Sequence, residues 1–164
     1  MPVGDLDGDG RGDVALVYGD GSYVHVAVYL GREAWPEALS IDDADVRFLN
    51  AGLRTPDLPT AATVGDLDGD GLGDLLLSQR YEEVGEHREA GAIRVFLGRA
   101  DWPAELAFEE ADATFVGGDD WANLGEAGTV VLEDLDGDGR DDLVAGTPSE
   151  PSPGGVYVFF GRCR

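Results

Sequence analysis

A nine-residue run of alternating aspartates occurs three times in this sequence, at residues 5–13, 66–74 and 134–142. Each copy has aspartate at relative positions 1, 3, 5 and 9 and glycine at position 6. Four carboxylates this close together repel one another strongly unless a cation lies among them. Oxygen ligands at alternate positions, with a glycine that allows a sharp turn, are what Ca²⁺ requires of a short loop.

The spacing also predicts which atoms bind the ion. We expect side-chain oxygens from positions 1, 3, 5 and 9 and a backbone carbonyl oxygen from position 7. Ordinary Asp-Gly turns are the alternative, but turn chemistry does not require carboxylates at identical offsets three times. The sequence therefore predicts three Ca²⁺ sites. Their ligands are Asp5, Asp7, Asp9, Arg11 (backbone oxygen) and Asp13; Asp66, Asp68, Asp70, Leu72 (backbone oxygen) and Asp74; Asp134, Asp136, Asp138, Arg140 (backbone oxygen) and Asp142.

The competing calcium motif is the EF-hand, which needs a bidentate glutamate at position 12 of its loop. That position holds Leu16, Leu77 and Ala145, and the residues after position 9 indicate strands. The EF-hand is therefore excluded. Four aspartates and a carbonyl leave few open coordination positions, and the loops carry no neighbouring nucleophile or general base. We expect a structural role for the ions, no catalytic residue and no enzyme activity.

Composition narrows the class of protein further. The chain has 164 residues, 43% of them apolar, and its net charge of −23 argues against nucleic acid and anionic membrane surfaces as partners. No apolar run is long enough to span a membrane, and the N-terminus lacks the pattern of a secretion signal. The single cysteine, Cys163, cannot form an intramolecular disulfide.

The three loops mark a repeat, because they start 61 and 68 residues apart. A second marker, Leu-Gly-Arg or Phe-Gly-Arg, recurs in phase with them at residues 30–32, 97–99 and 160–162. The approximate units are 1–59, 60–126 and 127–164, the last of them incomplete. A fixed period of this length is typical of repeat architectures.

A complete unit is predicted to have four strands, A to D, with the metal loop between A and B; unit one keeps only a stub of A, and unit three ends after C. The runs are nearly continuous in hydrophobicity and rich in β-branched and aromatic residues, which indicates strands covered on both faces. We expect little helix, with at most a turn in 33–38. The predicted strands are 2–3, 14–18, 23–30 and 46–49 in unit one; 61–64, 75–77, 93–97 and 113–116 in unit two; 129–132, 143–145 and 156–160 in unit three.

Repeated four-stranded antiparallel units of this length predict an all-β fold made of β-propeller blades. Closed propellers have about four to eight blades. About three blades form a partial propeller, and its open apolar faces drive association. We therefore expect either a fragment of a larger ring or a homodimer or larger ring of copies of this chain.

These motifs resemble a known family. Gly-Asp-Leu-Asp-Gly-Asp-Gly-x-x-Asp-Leu-Leu at 65–76, followed by Gly-Ala-Ile-Arg-Val-Phe-Leu-Gly at 91–98, is similar to the FG-GAP repeat of the integrin alpha-subunit propeller. The resemblance implies seven-bladed propellers with Ca²⁺ between strands A and B on the lower face. It also implies an extracellular or cell-surface location and adhesion or ligand recognition by upper-face loops. The chain departs from this pattern in blade count and in the Phe-Gly pair, which is degraded to Phe48 and Gly52, and to Phe115 and Gly118.

Several functions therefore remain open. A protein or glycan ligand would bind the upper-face loops, which we place at 50–60, 79–90, 117–127 and 147–154, with Trp121 as a contact candidate. The alternatives are a structural fragment whose main activity is ring closure, and an accessory module of a secreted polysaccharide-acting enzyme. Trp35 and Trp102 repeat at one unit position, which favours packing between blades. Arg-Gly-Asp at 11–13 is an adhesion tripeptide, but Asp13 is a predicted metal ligand and we expect no recognition role there.

Overall fold

The computed structural model describes residues 3–19, 24–49, 61–126, 128–147 and 154–163. Within these residues the protein is all-β, with two single-turn 3₁₀ helices at Ile41–Asp43 and Phe108–Glu110. The strands are β1 (Val3–Gly4), β2 (Asp13–Gly19), β3 (Val24–Tyr29), β4 (Val46–Leu49), β5 (Ala61–Gly65), β6 (Asp74–Gln79), β7 (Ala92–Phe96), β8 (Glu105–Ala107), β9 (Ala113–Val116), β10 (Val130–Glu133), β11 (Asp142–Thr147) and β12 (Gly155–Phe159).

The strands form three sheets, which we call blades 1, 2 and 3. Blade 1 has the order β1-β2-β3-β4-β8, blade 2 has β5-β6-β7-β9 and blade 3 has β10-β11-β12. Neighbours that are consecutive within a unit pair antiparallel, with Val64 opposite Leu75 and Leu132 opposite Leu143, for example. The all-β prediction of partial propeller blades is confirmed, and every predicted strand in the described residues is present within two residues of its expected ends.

Strand β8 was not predicted. It comes from unit two but pairs in parallel with β4 of blade 1, with Phe48 opposite Leu106. The backbone N–H of Arg47 donates to the carbonyl of Ala104 at 3.0 Å, and its guanidinium pairs with Glu105 at 3.1 Å. The sequence around β8 is Glu-Leu-Ala after a proline, which carries no β-branched or alternating pattern. Its partner, not its own propensity, makes it a strand.

Two apolar cores lie between the blades. The core between blades 1 and 2 contains Leu6, Ala15, Val26, Val28, Val46, Phe48, Leu75, Leu77, Phe96, Leu106 and Phe108. The core between blades 2 and 3 contains Leu76, Ile93, Val95, Leu124, Leu143 and Ala145. Blade 2 packs on both faces, and all six residues of β6 are buried. The nearly continuous hydrophobicity of that strand follows from this position, as predicted for strands covered on both sides.

The outer face of blade 3 is apolar and exposed. Val131, Val156 and Val158 on this face are 50%, 73% and 43% exposed. Val158 pairs with Val144 in blade 3 just as Val95 pairs with Leu76 in blade 2. Because Leu76 and Val95 pack against blade 3, the equivalent positions of blade 3 are of the type that packs against a further blade. Blade 3 therefore presents a blade-type packing surface to solvent.

Three details differ from the predictions or fall outside the described residues. No helical turn is found at 33–38; the first 3₁₀ turn begins later, at Ile41, because Pro36 disfavours helical geometry in the residue before it. The tight connection predicted at 20–22 and the loop at 50–60 lie outside the described residues, as does the loop at 147–154 except for its two end residues. In the described part of the chain, no helix has the length and apolar character needed to cross a membrane.

Candidate metal centre

Each metal loop joins the first strand of a blade to the second. The aspartate at position 1 organises the loop by accepting two backbone N–H groups, those of positions 4 and 6. In the first loop, Asp5 accepts from Gly8 at 2.7 Å and from Gly10 at 2.9 Å, and the same pair of bonds recurs in both other loops. Gly8 and Gly10 both have φ of +81°, which is why glycine occupies these two positions in every copy.

The loops bring the predicted aspartates together three at a time. In each cluster one carboxylate oxygen from each residue lies within 4.8 Å of the others. The clusters are Asp5, Asp7 and Asp13; Asp66, Asp68 and Asp70; Asp134, Asp136 and Asp142. Three of the four predicted side-chain ligands are thus clustered in every loop. That they bind Ca²⁺, and that the carbonyls of Arg11, Leu72 and Arg140 contribute, stay predictions.

The predicted residue outside the cluster is the position-5 aspartate in loops 1 and 3 and the position-9 aspartate, Asp74, in loop 2. In loops 1 and 3 the residue at position 7 is arginine, and its guanidinium pairs with the position-5 carboxylate, Asp9 with Arg11 at 2.7 Å and Asp138 with Arg140. The hydrogen bond from Arg11 holds the pKa of Asp9 below its usual value. In loop 2 position 7 is Leu72, and the position-5 residue Asp70 joins its cluster instead.

The aspartate at position 9 is buried in every loop. Asp74 is fully buried, and its carboxylate accepts the N–H of Leu67 at 2.7 Å and of Gly98 at 2.9 Å. Burial, reinforced by the nearby charges of Asp68 and Asp66, raises the pKa of Asp74 to about 6, although the two N–H donors oppose that rise. Burial likewise raises the pKa of Asp13. A buried carboxylate beside other carboxylates is the electrostatic situation that a bound cation relieves.

The donor set fits a hard divalent cation. Two unit charges 4.8 Å apart repel by about 3 kcal/mol at the effective dielectric of a partly buried site, and each cluster has three such pairs. All donors are carboxylate oxygens, and the described chain places no histidine or cysteine in the three clusters, which disfavours transition metals. Ca²⁺ suits oxygen-only sites of flexible geometry, such as these exposed loops.

The glycine of the Leu-Gly-Arg marker belongs to this centre, although its role was not predicted. The N–H groups of Gly31, Gly98 and Gly161 each donate to the position-9 aspartate of their own unit, at 2.6, 2.9 and 2.9 Å. A Cβ on Gly98 would lie 2.5 Å from the Cβ of Leu72 and 2.8 Å from the carbonyl of Gly73. Only glycine therefore lets the end of the third strand pass the loop. The phase of this marker with the metal loops was the signal that could have revealed the contact.

The metal loops of successive blades are also hydrogen-bonded to each other. The N–H of Gly73 donates to the carbonyl of Asp5 at 2.6 Å, and the N–H of Asp141 donates to that of Asp66 at 2.7 Å. The N–H groups of the two marker arginines, Arg99 and Arg162, donate in the same way to Leu6 and Leu67, at 3.0 and 3.1 Å. The loops thus connect neighbouring blades as well as the strands within each blade.

The tripeptide at 11–13 is not available as an adhesion motif. Asp13 is 1% exposed, and its two carboxylate oxygens accept the N–H groups of Leu6 and Gly31, both at 2.6 Å. A receptor could not reach this carboxylate without unfolding the loop.

The opposite end of blade 2 carries a second ordered surface, made by the loops 80–91 and 117–126. Backbone bonds join them, from Trp121 to Arg88 at 2.6 Å and from Asn123 to Glu89 at 3.0 Å. Glu89, Trp121 and Asn123 have φ of 46°, 63° and 51°, and within the described residues these are the non-glycine residues with positive φ. Strained backbone of this kind clusters at functional sites. The ring of Trp121 is 43% exposed at this surface.

Comparison with known proteins identifies the repeat. The FG-GAP repeat family matches residues 117–159. Phosphatidylinositol-glycan-specific phospholipase D of Mus musculus is 29% identical over 176 residues, which cover 100% of this chain and 20% of the phospholipase. Integrin alpha-M of Mus musculus is 30% identical over 155 residues, covering 90% of this chain and 12% of the integrin. Integrin alpha-4 of Xenopus laevis is 34% identical over 104 residues, covering 62% and 9%.

The chain spans one fifth or less of the length of these relatives. The similarity to integrin alpha subunits agrees with the loop motif and with the blade-like sheets. The chain therefore belongs to the FG-GAP repeat family and is integrin-alpha-like.

Proposed function

We propose that this chain is a non-catalytic propeller module stabilised by three Ca²⁺ ions, which presents an upper-face surface to an extracellular protein or glycan. The observation that carries the calcium role is the buried aspartate at position 9. It belongs to two of the three carboxylate clusters and in every unit holds the loop against the end of the third strand. A cation at the cluster would neutralise repulsion at the corner where the blade and its neighbour meet.

Calcium titration tests this role directly. We expect the calcium-free chain to bind about three Ca²⁺ ions by isothermal titration calorimetry and to unfold at a higher temperature with Ca²⁺ than without it. A free concentration a hundredfold above the dissociation constant adds about 2.7 kcal/mol per site to the free energy of unfolding. Mg²⁺ should stabilise less, because it demands a stricter octahedral geometry.

A matched pair of variants locates the ions. Asp68→Asn removes a cluster carboxylate in loop 2, and the number of bound ions should fall from three to two. Asp119→Asn makes the same chemical change at an exposed residue outside the clusters, and should leave both the number of ions and the stabilisation unchanged. A wild-type chain that binds no Ca²⁺ and unfolds identically with and without it would refute the role.

The ligand surface rests on separate evidence. Loops 80–91 and 117–126 are tied together by backbone bonds, carry the three strained residues, and expose Trp121. Aromatic side chains in exposed, ordered positions are the usual anchors of protein and carbohydrate contacts. A glycan array and a panel of extracellular proteins, probed with wild type and Trp121→Ala, test this surface. If Trp121→Ala does not weaken the binding of a ligand, that ligand binds outside the surface formed by loops 80–91 and 117–126.

Two other functions have specific support. The exposed apolar face of blade 3 favours a homo-oligomer, which sedimentation with and without Ca²⁺ would detect as a dimer or larger ring. The similarity to a phospholipase favours an accessory module of a secreted enzyme, since the chain aligns with only a fifth of that protein. In that case a longer polypeptide that includes the rest of the parent protein would carry the activity, and this chain alone would not.

A further inference from the structure

The residue at position 7 differs between the metal loops, and with it the bonding of the aspartate at position 5. In loop 1, Arg11 engages both carboxylate oxygens of Asp9. Its backbone N–H donates to Oδ1 and its guanidinium donates to Oδ2, both at 2.7 Å. Arg140 engages both oxygens of Asp138 in the same way in loop 3. In these two loops the position-5 carboxylate is therefore bonded to a cationic side chain.

Loop 2 has the backbone bond without the guanidinium. The N–H of Leu72 donates to Oδ1 of Asp70 at 2.8 Å, and a leucine side chain has no donor to offer the second oxygen. Asp70 lies in the carboxylate cluster of its loop, whereas Asp9 and Asp138 lie outside theirs. Position 5 thus supplies a carboxylate to the cluster in the loop that has leucine at position 7, and not in the loops that have arginine there.

The backbone frame around this position is the same in all three loops. The position-9 aspartate accepts two N–H groups in each loop, one from position 2 and one from the glycine that follows the third strand, at distances between 2.6 and 3.0 Å. The position-1 aspartate accepts the N–H groups of positions 4 and 6 in each loop. The contrast at position 5 therefore follows the side chain at position 7 and not a different loop conformation.

The position-7 side chain also lies over the metal loop of the preceding blade. The Cδ2 of Leu72 is 2.7 Å from the place that a Cβ on Gly8 would take, and the Cγ and Nε of Arg140 are 3.0 Å from the place of a Cβ on Gly69. Arg140 thus occupies beside loop 2 the place that Leu72 occupies beside loop 1. An arginine is accommodated at this junction between loops as well as a leucine.

Blade 3 brings charges of both signs to loop 2. Arg140 brings a positive charge, and the carboxylate of its neighbour Asp141 accepts the N–H of Asp66 in loop 2 at 2.9 Å. In the described part of the chain, the carboxylate that pairs with Arg140 is that of Asp138, in its own loop. The effect of the arginine on a bound cation is therefore expected mainly in loop 3.

We propose, on the basis of the calcium role set out above, that the residue at position 7 sets the calcium affinity of each loop. Arg11 and Arg140 make loops 1 and 3 weaker sites than loop 2. A cation that enters loop 1 either displaces the guanidinium from Asp9 or binds without that carboxylate, and both routes weaken binding. Calcium loops are tuned by the number of charged ligands that they supply. Loop 2 consequently stays loaded at calcium concentrations at which loops 1 and 3 release their ions.

Isothermal titration calorimetry of the calcium-free full chain tests the proposal. We expect one ion to bind about tenfold more tightly than the other two, since an exposed ion pair and one charged ligand are at stake. Arg11→Leu gives loop 1 the side chain that loop 2 carries, and should move one ion from the weak class to the tight class. Arg88→Leu makes the same change in charge at an exposed residue at the opposite end of blade 2, and should leave both classes unchanged.

The reverse substitution installs the competitor in loop 2. Leu72→Arg should abolish the tight class, so that three ions bind with similar affinity, and Arg140 shows that the junction has room for the new side chain. Two further variants assign the classes to loops. Asp68→Asn should remove the tight ion, whereas Asp7→Asn should remove one of the weak ions. Circular dichroism shows whether each variant is folded.

The outcomes separate this proposal from the calcium role itself. Three ions of equal affinity in the wild-type chain would overturn the proposal and leave the calcium role standing. The same holds if Arg11→Leu tightens no site, or if Arg88→Leu tightens binding as much as Arg11→Leu does, because net charge would then set the affinity. A wild-type chain that binds no Ca²⁺ would refute the calcium role, and the proposal with it.

Discussion

Residues 102–108 leave blade 2, add β8 to the edge of β4 and insert Leu106 and Phe108 into the core between blades 1 and 2, and we call them the wrapping segment. Phe108 tests whether this segment belongs to the cooperative core or only covers it. The side chain is 3% exposed although it lies in a single 3₁₀ turn, where local structure contributes little. It packs edge to face on Phe48 and Phe96, and the guanidinium of Arg94 lies 5.9 Å from its ring. Its contribution to stability therefore comes almost entirely from contacts across the junction of blades 1 and 2.

The magnitude follows from what Phe108→Ala removes. Truncating a buried phenylalanine costs about 3–5 kcal/mol, through lost burial and the cavity left behind. Each of the two aromatic pairs contributes about 0.5–1.5 kcal/mol beyond its buried area, which places this site in the upper half of the range. We expect a loss of about 4 kcal/mol in the free energy of unfolding, a large part of the total for a chain of this size.

The assay is urea denaturation in saturating Ca²⁺, followed by tryptophan fluorescence, because Trp102 lies in the same junction. Phe160→Ala is the control, since that ring is 56% exposed, and it should cost less than about 1 kcal/mol. A double-mutant cycle with Phe48→Leu should give a coupling of about 1 kcal/mol. A loss below about 1 kcal/mol for Phe108→Ala would mean that the wrapping segment detaches before the blades unfold.

Two further substitutions test single contacts by thermal or urea unfolding. Trp102→Phe removes the indole hydrogen bond to the neighbouring blade and should cost about 1 kcal/mol, whereas Trp35→Phe, at the exposed equivalent, should change stability by less than about 0.5 kcal/mol. Gly91→Ala should cost about 3 kcal/mol or more, because φ is +79° and the new Cβ would lie 2.5 Å from the backbone of Leu124. Gly85→Ala, with φ of +63° and open space around it, should cost only about 1 kcal/mol; equal losses for the two glycines would contradict the close approach.

The sequence was sufficient for the strands and for the loops because both depend on local patterns. Strand β4 begins and ends where the pattern of Val46 to Leu49 placed it, and β9 does the same at 113–116. Strand β8 could not be predicted in this way. It exists because the edge of β4 lies beside it, and that proximity is fixed by the packing of two blades.

For the candidate metal centre too, the sequence predicted what depends on local spacing and did not predict what depends on contacts with other residues. Identical spacing predicted the residues of the three clusters, because the glycines at positions 4 and 6 turn each loop back on itself and bring its aspartates together. The spacing could not reveal that Asp9 would pair with Arg11 while Asp70, with Leu72 at the corresponding place, would join its cluster. Nor could it reveal the glycine contact, because Gly98 lies just beyond the end of β7, 24 residues along the chain from Asp74.

The position of the loops gives calcium a role in holding blades together. The carbonyls of Asp5 and Leu6, at the start of the first loop, accept the N–H groups of Gly73 and Arg99 from the next blade. The carboxylate of Asp13 accepts the N–H of the same Leu6, so a change at the cluster reaches the junction through one residue. Blades of a repeat protein gain much of their stability from contacts with their neighbours. An ion that fixes the loop therefore stabilises the blade and its junction together, and chelation should weaken the contact between blades before it unfolds the strands within them.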